Sequence, residues 1–120
     1  MKEMRIVLAG TGHEGRDRYI RRFASIGSAL QIRREPDNVH DCNAIAVYLE
    51  CRVVWGLIRA WKMIGYVPAP RAGRLSPRLD SSEIQISRAY ICNMHAPDWR
   101  NVPAVTALIE YDVRQQHSVR

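Results

Sequence analysis

Hydrophobic positions recur along most of this chain with a period of two. Arg5 to Ala9 reads as a first buried strand, and Ala29 to Arg34 alternates apolar with polar residues before a turn rich in Pro, Asp and Asn. From Cys42 to Glu50 the alternation sets Ile45, Val47 and Leu49 on one face and Ala44, Ala46 and Tyr48 on the other. Both faces are apolar, as expected of a barrel strand. Residues 50–63 read as a long hairpin around Gly56, and Ile64 to Val67 closes a strand at Pro68. Glu83 to Cys92 and Ala104 to Val113 are two further strands, separated by a loop from Asn93 to Pro103 that contains Trp99. Helical spacing is confined to two places. Tyr19, Phe23 and Ile26 predict a short helix with Gly27 as C-cap, and Pro70 to Leu79 a second one, with Ala72, Leu75 and Leu79 inward and Pro77 interrupting it. Many strands, few helices and no strand–helix rhythm predict a mostly β fold: a small antiparallel barrel of OB or SH3-like type with one or two short helices. We expect one domain over residues 1–113 and a polar tail over 114–120.

The sharpest local signal is the bend Arg34-Glu35-Pro36-Asp37-Asn38-Val39-His40-Asp41-Cys42-Asn43 between two alternating strands. Pro36 fixes φ, Asp37 and Asn38 favour turns by bonding their own backbone, and Asp41 or Asn43 ties the bend to the next strand. The result is a tight polar loop on a rigid base, the best candidate for a site. The plainer reading, that Asp41 and Asn43 only pin the loop, stays open at this point.

The run R-E-P-D-N-V-H-D-C-N-A-I-A-V, followed by Ile64-Gly65-Tyr66-Val67-Pro68, resembles the HIRAN domain in order and spacing over about residues 5–80. The pattern suggests a stand-alone member of prokaryotic or phage type. The resemblance implies an OB-like barrel that captures the free 3′ end of single-stranded DNA. Counting back from Pro36 without gaps, Arg18-Tyr19 falls where DNA-binding members carry an Arg–aromatic pair, and Ile20 where some have a further ring. On this reading Asp41 accepts the terminal 3′-OH, Asn38 bonds the terminal nucleotide, Tyr19 or His40 stacks on a base and Arg18 holds a phosphate. Arg34 and Asn43 complete the expected binding set. Family members are often joined to Swi/Snf-class ATPases and RING zinc modules, neither of which this sequence contains.

Charge supports the same direction. The chain has 120 residues and a formal net charge of +6, with a pI near 9.7. Most of the excess is arginine, whose planar fork suits phosphate oxygens. In residues 16–23 four arginines surround Tyr19 and Phe23, the mixture that grips a strand without reading its sequence. An amphipathic helix with its rings in the core and its arginines solvated accounts for the same residues. Arg16, Arg21 and Arg22, with Arg71 and Arg74 on the second helix, make a secondary basic surface that Arg78 extends. Trp55 and Trp61 are candidates for stacking, though large rings more often pack.

Other chemistry finds less support. Gly10-Thr11-Gly12-His13-Glu14-Gly15 reads literally as G-x-G-x-x-G after a strand and before a helix, with Glu35 at the acidic position of a dinucleotide site. The missing strand–helix alternation and the short chain count against it. Cys42, Cys51 and Cys92 form no C-x-x-C and no even framework, so a reduced, cytoplasmic or nucleoid setting is expected. Cys92-x-x-His95 is half a zinc site at best, and we expect no metal and no cofactor. The first residues are too short an apolar run for a signal peptide or a membrane anchor. The sequence therefore points to a non-catalytic nucleic-acid module for single-stranded DNA ends in repair or replication-fork processing, partnered by a helicase or nuclease. A peptide-docking barrel and a dinucleotide-binding enzyme are the alternatives.

Overall fold

A computed structural model describes residues 1–96 and 101–114. Six strands, β1 (Lys2–Val7), β2 (Leu30–Arg34), β3 (Ile45–Val53), β4 (Ile58–Tyr66), β5 (Ile84–His95) and β6 (Ala104–Val113), form two three-stranded sheets ordered β1-β6-β5 and β2-β3-β4. Two helices, α1 (Arg16–Phe23) and α2 (Ala69–Asp80), lie between strands. A single 3-10 turn, His13–Gly15, leads into α1.

The fold is mostly β and antiparallel, as its period-two patterning requires. The sheets do not close into one continuous barrel. They are stitched at two corners by isolated bridges, Ala9 to Tyr66 and Ala29 to Tyr90. At the first corner Ala9 and Tyr66 exchange backbone bonds of 2.8 and 2.9 Å; at the second the Ile91 N–H donates to the Ser28 carbonyl at 3.0 Å. Gly65 permits the first approach, because a Cβ there would lie 2.9 Å from the Ala9 carbonyl oxygen.

The core fills the space between the sheets. Ile45, Val47, Leu49 and Cys51 of β3 face Ile64, Ile91, Val105 and Ile109, all fully buried. Each such side chain is worth about 1.5–3 kcal/mol relative to exposure. β3 is the central strand of its sheet, and Ala44 and Ala46 are buried on its other face as well. β1 differs from the buried strand expected at Arg5 to Ala9. It is an edge strand, so Ile6 and then Leu8 point into the core while Arg5 and Val7 stay exposed.

α1 also departs from its pattern. Its buried apolar residue is Ile20, whereas Tyr19 is 37% and Ile26 66% exposed. The helix ends at Phe23, because Ala24 is extended and Ser25 to Ser28 form a turn, so Ile26 lies beyond the last helical residue. Gly27 accordingly serves that turn at φ +93° and is not the helix cap. α2 runs through Pro77 instead of stopping there. The proline removes only a bond to the Gly73 carbonyl, on the helix's exposed side. β5 continues three residues past the expected Cys92, to His95. Trp99 and residues 115–120 lie outside the described residues.

The β3–β4 hairpin is longer than the core needs. Its tip, Val54-Trp55-Gly56-Leu57, is closed by a bond from the Leu57 N–H to the Val54 carbonyl at 3.1 Å. Val54, Trp55 and Gly56 all have positive φ, at 53°, 61° and 79°. For the first two this costs about 1–2 kcal/mol each.

Candidate nucleic-acid interface

The loop between β2 and β3 is built around Asn38. Its Oδ1 accepts the His40 and Asp41 N–H groups at 2.9 and 3.2 Å, and its Nδ2 donates to Glu35 Oε1 at 3.0 Å. The Tyr66 hydroxyl donates to the same Glu35 oxygen at 2.9 Å. Asp41 Oδ1 accepts the Asn43 N–H at 2.9 Å, and the Glu35 N–H closes the loop on the Ala44 carbonyl at 2.9 Å. These are the Asx turns that Asp and Asn favour.

Two links fasten the loop to α2. The Ser76 hydroxyl, fully buried, donates to Asn43 Oδ1 at 3.1 Å. Arg34 grips Asp80 with both arms of its fork, Nε to Oδ1 at 2.8 Å and Nη2 to Oδ2 at 3.0 Å, and its Nη1 donates to the Ala44 carbonyl at 2.8 Å. The hydrogen bond from Arg34 holds the Asp80 carboxyl below its usual range, and that bond raises the Arg34 value in turn. Arg34 and Asn43, both expected to touch nucleic acid, here tie the loop to α2.

Between this loop, the Gly10–Arg16 segment and the end of β4 lies a cleft of about 600 Å³, lined by Gly10, His13, Arg16, Asn38, His40, Asp41, Met63 and Tyr66 among others. Asn38, His40 and Asp41 form one wall. His40 is exposed, and Asp41 half-buried. Asp41 has one oxygen occupied by the loop; no partner for the other stands among the described residues. Tyr66 forms the floor. Burial, then its bond to Glu35, pushes its phenol above the ordinary tyrosine range.

The cation of the cleft is Arg16, not Arg18. Arg16 is 8% exposed; its Nη1 donates to the Gly10 carbonyl at 3.0 Å and its guanidinium sits 5.2 Å from the Tyr66 ring centre. Glu14 lies 3.8 Å from Nη2, too long for a hydrogen bond, and the buried Nε has no partner. Held this way, the arginine keeps Nη2 for an anion in a partly dry site. Arg18 and Tyr19 do not line the cleft. They occupy the exposed side of α1, where Lys62 lies 5.7 Å from the Tyr19 ring centre.

The remaining basic residues spread widely. Arg21 donates to the Asn101 carbonyl, Arg22 packs 5.3 Å from the Phe23 ring, and Arg71 donates to the Arg5 carbonyl at 3.0 Å. Arg71, Arg74 and Arg78 surround a smaller cleft of about 180 Å³ with Met4 and Tyr111, apart from the first. The sequence reading missed Arg16 as a cleft residue and Met63 altogether. The signal for Tyr66 was present in the Gly65-Tyr66 strand end. Gly10 to Gly15 do form a loop between strand and helix, but every strand pair described is antiparallel and Glu35 is engaged by Tyr66 and Asn38. The parallel sheet a dinucleotide site needs is not there. Among the described residues no group of three His, Cys, Asp or Glu side chains is placed to hold a metal, and no helix is long and apolar enough to cross a membrane.

The molecule is thus a small two-sheet β fold with an arginine and a carboxylate in one cleft. A family model for the HIRAN domain matches residues 2–106. The chain therefore belongs to the HIRAN domain family, whose members are DNA-binding modules. Its structure is similar to the crystal structure of the HIRAN domain of human HLTF, with a TM-score of 0.62 and 19% identity over 91% of this chain and 74% of that one. At that identity the likeness speaks to the fold. A search of curated proteins found no match.

Proposed function

We propose that this domain binds the free 3′-OH end of single-stranded DNA without catalysis. The observation that carries the reading is the pairing in one cleft of Arg16, whose Nη2 makes no hydrogen bond among the described residues, and the unengaged oxygen of Asp41. A carboxylate can only accept hydrogen bonds, so a terminal hydroxyl satisfies it while a phosphate there is repelled. Arg16 supplies the opposite preference for the phosphodiester just behind the end. His40, exposed at the wall, offers a ring to the terminal base. Asn38 keeps one of its two amide N–H groups for the nucleotide, the other being held by Glu35. The role is to hold exposed 3′ ends, as in repair or fork intermediates, for a helicase or nuclease partner.

Fluorescence anisotropy with short strands ending in 3′-OH, in 3′-phosphate or in duplex tests this. The free hydroxyl end should bind best. Asp41→Ala should weaken it and erase the preference over the phosphorylated end; unchanged discrimination refutes the assignment. Binding should also weaken steeply with salt, whereas a peptide-docking surface would respond little.

A further inference from the structure

End capture leaves a second pattern unused. Strand register places Met63, Trp61 and Arg59 of β4 opposite Tyr48, Glu50 and Arg52 of β3, on the outer face of the sheet. Met63 is also part of the cleft wall, so this face begins where the captured end would sit. The face sets each of its two rings beside a guanidinium group, and its one carboxylate, Glu50, is held by Arg52 at 3.1 Å. Arg33 lies 3.8 Å from the Tyr48 ring centre and Arg59 5.4 Å from that of Trp61, both rings being only half-buried. At the far end Trp55 is 99% exposed at the hairpin tip.

Two features of that tip work against stability. Arg52 and Arg59 are directly paired across the strands, like charges at the closest cross-strand position, with only Arg52 relieved, by Glu50 at 3.1 Å. Trp55 precedes Gly56 at the two positive-φ centres of the turn, where Asn-Gly would fit best. Both become useful if a polyanion lies across the face: its phosphates neutralise the arginine pair and a base covers the indole. An anionic bilayer would use the apolar tip but not the ring–arginine pairs leading back to the cleft.

We propose that the outer face of the β2-β3-β4 sheet is a track for single-stranded nucleic acid running from the cleft to Trp55, which stacks on the base at its end. The proposal rests on nucleic acid being the ligand of the cleft. β4 acts as a ruler. From Met63 to Ile58 is about 17 Å at roughly 3.4 Å per residue, and the turn carries Trp55 a few ångströms further. A stacked strand advances about 3.4 Å per nucleotide, so Trp55 meets the base about six nucleotides from the 3′ end.

The test measures the affinity of 3′-OH oligothymidylates of increasing length for the wild type, Trp55→Asn and Asp41→Ala. Trp55→Asn creates an Asn-Gly turn, so it should fold at least as well, and thermal unfolding checks that. Wild-type affinity should step up at about six nucleotides. Trp55→Asn should abolish the step, weakening strands of about ten nucleotides by about 5- to 150-fold, the worth of one stacked base, while leaving trimers unchanged. Asp41→Ala should weaken trimers and long strands by the same factor. A smooth length dependence, a step that survives Trp55→Asn, or Trp55-dependent binding to phosphatidylserine vesicles in place of long strands overturns the track. If trimers show no Asp41 dependence while the step persists and needs Trp55, end capture fails and the track stands.

Discussion

Asn38 is the hub of the binding loop, and Asn38→Asp isolates what its amide does. The substitution keeps an oxygen to accept the His40 and Asp41 N–H groups. It replaces the Nδ2 donor, 3.0 Å from Glu35 Oε1, with a second carboxylate oxygen. Losing that bond costs about 1 kcal/mol. Two unit charges about 4 Å apart repel by about 4 kcal/mol at an effective dielectric constant of about 20. Asn38 and Glu35 are both half-exposed, so solvent screening and relaxation reduce this to about 1–2 kcal/mol. The total is a loss of about 2–3 kcal/mol at neutral pH. The repulsion raises the carboxyl pKa of the folded pair above its unfolded value. The folded state then binds the extra proton more tightly, so the penalty is absent below the unfolded carboxylate range near pH 4 and grows as pH rises through the raised value. Thermal unfolding of wild type, Asn38→Asp and Asn38→Ala at pH 4 and pH 7.5 reads this directly. The Asp variant should lag the wild type far more at pH 7.5 than at pH 4; the Ala variant, which loses bonds without adding charge, should lag by a constant amount. An Asp variant as stable as wild type at pH 7.5, or equally deficient at both, would show that Glu35 and Asn38 do not form the contact on which the loop is hung.

Other consequences follow from individual contacts. Arg34→Ala and Asp80→Ala should each lower the melting temperature and the double variant should lower it little further, read by thermal unfolding, since the two side chains act as one pair coupling loop to helix. Gly65→Ala should cost about 1–3 kcal/mol by chemical denaturation, because its Cβ would meet the Ala9 carbonyl oxygen at 2.9 Å and the Leu8 Cβ at 3.3 Å at the corner joining the sheets. Tyr66→Phe should remove one high-titrating phenol from an ultraviolet pH titration. It should also flatten the fall in stability above pH 10, because a raised folded-state phenol pKa confers stability that is complete below the unfolded value and lost as pH climbs through the folded one. Arg16→Gln should weaken binding of strands with either 3′ terminus by about tenfold or more while leaving the hydroxyl-over-phosphate preference in place, read by the same anisotropy assay.

What could be read from the chain was whatever depends on local period and turn chemistry. β6 matched its expected limits, Ala104–Val113, because an alternating run of ten residues has few other ways to lie. The loop at Pro36 to Asn43 was legible because Asn and Asp bond their own backbone, a habit carried in sequence. What was not legible depended on distance in space. That Arg34 would meet Asp80, forty-six residues on, has no local trace, so an arginine next to a polar loop looked like a phosphate ligand. The same holds for Arg16. Counting without gaps from Pro36 presumes that the chain between helix and loop has a fixed length, yet the turn at Ser25 to Ser28 and the early end of α1 at Phe23 absorb residues without disturbing either element. Sequence spacing therefore pointed to Arg18, whereas the arginine that lines the cleft is Arg16. Burial decides between them: Arg16 is folded under the Gly10 carbonyl and against Tyr66, while Arg18, two residues along the helix, faces water. The hairpin tip shows the opposite case. Trp55 in sequence reads first as a packing residue, and only its place past the last core contact of β3, at Val53, turns it into a surface ring that the fold itself does not need.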